Sequence, residues 1–81
     1  MNYKEIFRRH YGIGEQDVVI CKWCGQKAVD IHHLVFRSQG GKDNIENLIA
    51  LCRDCHNSAH NNRKFNENLK QINIGLFGKL K

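Results

Sequence analysis

Proline is missing from all 81 residues of this chain, and no apolar run approaches the length of a membrane span. No N-terminal apolar stretch resembles a signal peptide, and linkers, internal repeats and low-complexity segments are absent as well. The lack of a span-length run and of a signal-like stretch sets the expectation of no membrane-spanning helix and of a reducing, cytoplasmic compartment. Size is the other shortage. A chain this short makes one domain at most, expected over residues 1–81, and near this length hydrophobic burial leaves only about a few kcal/mol of net stability. Some further staple is therefore required.

What is present reads as globular rather than disordered, with 41% hydrophobic residues and a mean hydropathy of −0.58. Thirteen Lys/Arg against eight Asp/Glu give a net charge of +5. That surplus suits an anionic partner, most simply nucleic acid, although a solvated basic surface is the plainer alternative.

Along the chain, "NYKEIFRRHY" (2–11) places Tyr3, Ile6, Phe7 and His10 at i, i+3, i+4 and i+7, predicting a short amphipathic helix ended by Gly12 and Gly14. "DVVICKWCGQK" reads as a short strand entering a tight turn in which Gly25 tolerates positive φ. "KAVDIHHL" predicts a strand, "RSQGGKDN" an irregular loop, and "NIENLIAL" a second strand. Residues 54 to about 63 should be helical, with Asp54 capping or favouring the positive N-terminus. "FNENLKQIN" permits a further helical turn or two, and the tail "IGLFGKLK" is expected to fray, with Leu76, Phe77 and Leu80 packing on the domain.

The cysteines supply the staple. Cys21/Cys24 and Cys52/Cys55 are each spaced C-x-x-C, and in a reducing compartment such pairs bind metal far more often than they form disulfides. Two such pairs make one tetrahedral four-thiolate zinc site joining residues 21–25 to 52–55. A closed shell of four thiolates leaves no position for substrate, so this zinc is structural.

His56 and His60 stand at i and i+4 on the predicted helix and share a face, so both imidazoles can reach one ion. With four thiolates already satisfying the zinc, these histidines are free for a second site. The evident source of a third ligand is the tandem pair His32–His33. Adjacent strand residues point to opposite faces, so one of the two can bind the ion while the other addresses a substrate, unless the loop downstream distorts the backbone. An asparagine at the far end of that loop could hold it through main-chain hydrogen bonds.

The ordered set C-x-x-C, HH, GG, NL and C-x-x-C-H-x-x-x-H, over about residues 18–62, resembles the HNH endonucleases, the zinc-ribbon branch of the ββα-metal (His-Me finger) nucleases. The resemblance implies an α+β fold: a small finger of two short antiparallel strands and a helix, with the four-cysteine structural zinc and flanking N- and C-terminal helical segments. By position it makes His32, His56 and His60 the ligands of a catalytic ion, His33 the general base, and Asn47 the residue restraining the histidine loop. The spacing from the tandem histidines through Asn47 to the helix pair is also similar to that of the bacteriocin DNases.

The implied activity is hydrolysis of DNA phosphodiesters, with His33 taking a proton from the attacking water, a role suited to imidazole near neutral pH. The catalytic ion would be Zn2+, Mn2+, Ni2+, Co2+ or Mg2+; imidazoles suit the first four better. Arg37 falls where the family often carries a basic residue and could clamp a phosphate, and Gly40 and Gly41 would let the loop turn sharply or approach DNA. Arg53, Arg63 and Lys64 are further phosphate-contact candidates, as are Arg8 and Arg9. The chain departs from the family at Phe36, where proline is frequent.

Several residues have plainer readings. Asp30 can orient a ligand, but an exposed strand residue is the expectation. His10 reads as a surface or packing residue, and Trp23 as cover for the zinc site rather than a base-stacking platform. A noncatalytic zinc ribbon that binds nucleic acid would explain the cysteines and the charge, yet would leave the histidines and Asn47 without a role. A single mixed Cys/His cluster, or an adaptor for another protein, leaves too many ligands for one ion. Such a nuclease belongs in the cytoplasm of a bacterial or phage-infected cell. The resemblance implies DNA as the partner, with no membrane, and allows a homodimer or a larger phage or bacterial protein partner, because one active site cuts one strand.

Overall fold

Two four-residue strands form the middle of the molecule: β1 (Asp30–His33) and β2 (Leu48–Leu51) pair antiparallel, with His32 opposite Ile49 and His33 opposite Leu48. This computed structural model describes residues 2–78. Three helices surround the ribbon: α1 (Tyr3–Tyr11), α2 (Arg53–Asn61) and α3 (Arg63–Phe77). Among the described residues the fold is therefore α+β, with the sequence β1–β2–α2 of a ββα-metal finger between flanking helices.

α1 begins where the Asn2 side chain accepts the Glu5 N–H (3.0 Å), and it closes at Gly12. At α2 the cap is sulfur: the Cys52 Sγ accepts from the Cys55 N–H, while Asp54 in the first turn favours the helix dipole without capping it. The strand expected over "DVVICKWCGQK" is reduced to a single bridge between Ile20 and Lys27, because the chain turns into the cysteine knuckle at once. Gly25 sits at φ 80° there, as the tight turn requires.

The C-terminal segment is the largest departure from expectation. Instead of a turn or two, residues 63–77 form a fifteen-residue helix, started by the Asn62 side chain on the Phe65 N–H and ended at Gly78. Its inner stripe is Asn66, Leu69 and Asn73, all buried. Two apolar clusters flank the ribbon. One joins Leu34, Ile49, Leu51, Ala59 and Leu69 to Cys21 and Cys52, and the other joins Phe7, Leu48 and Ala50. Phe77 is half-buried with its ring 5.6 Å from that of His10, Leu76 is exposed, and Leu80 lies outside the described residues. No helix among the described residues is long and apolar enough to cross a membrane.

Candidate active site

Strand alternation separates the tandem histidines without any distortion of the backbone, because the ladder runs in register through both. His32, 1% exposed, points toward α2, and its ring centroid lies 5.0 Å from that of His56 and 5.4 Å from that of His60. His33 points toward α1, where the Tyr3 ring meets it edge-on at 4.6 Å. Both nevertheless line one open cleft of about 200 Å³, together with Tyr3, Phe36, Arg37, His56 and His60.

The three imidazoles His32, His56 and His60 offer ring nitrogens that all lie within 4.8 Å of one another. The Nε2 atoms of His56 and His60 are 3.2 Å apart, near the roughly 3.3 Å edge of a tetrahedron with metal–nitrogen bonds of about 2.0 Å. Asp30 completes this group. Its carboxylate accepts from His56 Nδ1 at 2.9 Å and pairs with the Arg53 guanidinium at 2.9 Å. With Nδ1 donating its hydrogen, His56 presents the Nε2 lone pair to the cleft. The exposed-strand expectation for Asp30 is thus corrected: it is an orienting partner of His56. Arg53 is engaged in the same pair. Burial lowers the pKa of His32 to about 4, an effect that the hydrogen bond it donates to Asn66 opposes and the neighbouring histidines reinforce. It is therefore neutral, with a nitrogen lone pair available, throughout the neutral range.

His33 has a carboxylate partner of its own. Its Nε2 donates to Asp43 Oδ1 at 2.8 Å, and Arg37 Nη2 donates to both Asp43 oxygens at 3.1 Å. The His33 hydrogen bond chiefly, and then Arg37, hold the Asp43 carboxyl below its ordinary pKa. Arg37, expected as a phosphate clamp, is therefore paired with Asp43 and lies 5.0 Å over the Tyr3 ring. Asn47, fully buried, ties the loop shut: its Oδ1 accepts from Val35 N (2.7 Å), and its Nδ2 donates to the carbonyls of Val35 (3.1 Å) and Lys42 (2.9 Å). Gly41 passes so close that a Cβ there would lie 1.7 Å from the Val35 carbonyl oxygen, so this glycine serves the loop's own closure. Phe36 adopts φ −64°, the value proline would impose, and its ring stacks on His60 at 4.8 Å. The backbone at this position is thus one that proline could also adopt.

At the N-terminal end of α2, the four cysteine sulfurs also lie within 4.8 Å of one another, with Cys24 and Cys52 3.6 Å apart. Zinc–sulfur bonds of about 2.3 Å place tetrahedral sulfurs about 3.8 Å apart, so the donor set fits zinc. Burial works to raise Cys21, but main-chain N–H groups outweigh it and bring the thiol down to about 6. Burial and the neighbouring sulfurs push Cys55 up. Four crowded thiols of this kind are all held ionised by a divalent cation. Trp23 is half exposed and meets Phe65 edge-on at 5.0 Å beside the knuckle. Arg63 and Lys64 stand exposed in the first turn of α3.

The sequence reading missed Tyr3, Asp43 and Asn66. Tyr3 read simply as part of an apolar helix face, and Asp43 as one more turn residue. Asn66 and Asn73, seven apart on one helical face, were the available signal for a polar inner stripe.

A two-stranded ribbon followed by a helix, with one cluster of four cysteines and another of three histidines, defines a ββα-metal finger. Residues 21–62, just over half the chain, match the family model described as HNH endonuclease, and the chain belongs to that family. It is similar to the type IV methyl-directed restriction enzyme EcoKMcrA of Escherichia coli (strain K12), with 28% identity over 72 residues, 76% of this chain and 26% of that protein. It is also similar to anaredoxin of a Nostoc species, with 36% identity over 42 residues, 52% of this chain and 54% of that protein. The chain thus spans about a quarter and about half the length of these relatives.

Proposed function

We propose that this chain is a metal-dependent DNA endonuclease that hydrolyses phosphodiester bonds, with residues 1–81 acting as one nuclease domain. The observation that carries the reading is the shared cleft, in which His33, held by Asp43, opens beside His32, His56 and His60. When bound by those three imidazoles, a divalent ion supplies charge neutralisation at the scissile phosphate and the leaving oxygen. Zn2+, Mn2+, Ni2+ and Co2+ suit such ligands better than Mg2+.

The chain's own groups divide the remaining work. With Nε2–H donated to Asp43, His33 keeps Nδ1 as a lone pair to take a proton from water, much as a carboxylate fixes the tautomer of a catalytic histidine elsewhere. Asn47 keeps the loop that carries Asp43 at a fixed distance from β1. Arg63 and Lys64 contact the DNA backbone, and their placement at the positive end of α3 concentrates charge that favours phosphate. Arg37 and Arg53 act on phosphate only as far as their pairs with Asp43 and Asp30 allow.

DNA as the substrate is supported by the family, the +5 charge and the restriction-enzyme relative. The methyl-directed action named for that relative belongs to a protein of which this chain covers 26%, and it is not carried over. Backbone contacts of this kind convey no base identity, so cleavage of weak sequence preference is the expectation. One such site cuts one strand, and a double-strand break takes two copies or two events.

The test is nicking of supercoiled plasmid with each of the five ions, by native protein and by His33→Ala. Loss of a positioned general base should lower the rate by about 10²–10⁴-fold, with zinc content and circular dichroism unchanged. If the native protein shifts plasmid mobility but cuts with none of the ions, a noncatalytic zinc-ribbon binder is the correct description.

A further inference from the structure

The family match ends at residue 62, yet a side chain beyond it reaches the centre of the candidate site. Asn66, on the first turns of α3 and 8% exposed, places its Oδ1 2.8 Å from His32 Nε2. Its Nδ2 donates to the Leu34 carbonyl at 3.0 Å. That second bond fixes the first. A carbonyl oxygen only accepts, so the amide NH2 must face Leu34 and the amide oxygen must face the imidazole. An amide oxygen only accepts as well, so the hydrogen of the neutral imidazole lies on Nε2. The lone pair is left on Nδ1.

From this we infer that Asn66 is a positioning residue for the histidine metal site: it sets His32 as the Nε2–H tautomer and commits its Nδ1 to the ion. His56 is set by the same logic from the other direction, since Asp30 takes its Nδ1–H and leaves Nε2. The two ligands therefore bind through different nitrogens, each dictated by a partner on a different element. Asn66 is itself held in register by α3, where Leu69 is fully buried and Asn73 donates to the carbonyls of Glu46 and Leu48 at 2.9 Å. The helix that lies outside the matched segment thus orients the first ligand inside it. A hydrophobic residue at position 66 would leave both ring nitrogens free to exchange the hydrogen, and half-occupied tautomers make a poorer ligand.

This inference rests on the reading of His32 as a metal ligand, and the experiment separates the two. Protein with zinc kept in the cysteine site and 15N-labelled histidine is observed by long-range 1H–15N correlation before and after further, diamagnetic Zn2+ is added. His32 is expected as the Nε2–H tautomer before addition and as an Nδ1 ligand after it. Co2+ affinity is then measured by absorption for the native protein and for His32→Ala, Asn66→Leu and Asn66→Asp.

Asn66→Leu should weaken Co2+ binding roughly tenfold to a hundredfold and mix the His32 tautomers. Asn66→Asp, which keeps the accepting oxygen and loses the donor to Leu34, should retain the tautomer and most of the affinity. Native affinity in His32→Ala would remove the ligand reading itself. If His32→Ala loses Co2+ while native His32 carries its hydrogen on Nδ1, the role of Asn66 is overturned and the ligand reading stands. Equal losses in Asn66→Leu and Asn66→Asp would also overturn it, pointing to packing rather than to the acceptor. The native tautomer decides the matter even if Asn66→Leu does not fold.

Discussion

Asn47 makes three main-chain hydrogen bonds from a fully buried amide, to Val35 at one end of the loop after the tandem histidines and to Lys42 near the other. Alanine at this position would strand one N–H and two carbonyls, and each buried polar group left without a partner costs about 1–3 kcal/mol. Asn47→Ala should therefore lose on the order of 3 kcal/mol in urea denaturation at fixed zinc, and the His33 ring resonances should move as Asp43 drifts. A loss below about 0.5 kcal/mol, the range of an ordinary surface change, would show that the loop closes without it. Asn47 was legible in the sequence because a motif locates it. Asp30 was legible in principle and misjudged: residues two apart on a strand share a face, so Asp30 and His32 had to look the same way. What the strand pattern does not convey is that α2 brings His56 and Arg53 to that face. Asp43 and Asn66 were illegible for a related reason, since each meets its histidine through tertiary placement rather than local spacing.

α1, the ribbon and α2 all stand within a few residues of their expected bounds, although the first residues of the expected second strand, Ile45–Asn47, form a 3-10 turn instead. α3 was cut short because its inner stripe is two asparagines around one leucine, a pattern that reads as polar surface. Burial of those amides is possible only because the carbonyls of Leu34, Glu46 and Leu48 receive them. Leu69, between them, is the apolar contact holding the helix to the cluster around Leu34, Leu51 and Ala59. Leu69→Ala should cost about 2–5 kcal/mol, as other large-to-small changes in tight cores do. It should also weaken metal binding at the histidine site, because the helix that carries Asn66 loosens. Urea denaturation and Co2+ titration of the same variant check both effects. A destabilised variant with native Co2+ affinity would mean that α3 supports the fold without supporting the site.

At the scale of the whole molecule, the four-cysteine cluster and the core are one object, since Cys21 and Cys52 are buried in the same cluster as Leu34, Leu51 and Leu69. A chain of 81 residues has little other stability to draw on. The histidine cluster borders that core but opens onto a cleft, with His32 buried at its floor and His60 exposed at its rim. Three imidazoles in general bind a divalent ion less tightly than four thiolates bind zinc. Two metals should therefore leave in order. Under reducing conditions a weak chelator should strip the histidine site first and abolish nicking, with the far-ultraviolet circular dichroism unchanged. A strong chelator should then extract the cysteine zinc and unfold the chain, because the binding free energy of a structural zinc is folding free energy. Release of metal into a chromogenic indicator, recorded alongside ellipticity, gives both steps in one titration. Helicity retained after the second loss would make the cysteine site dispensable. Collapse with the first would mean that the histidines hold the fold, and the division of the ligands into a structural and a catalytic set would have to be abandoned.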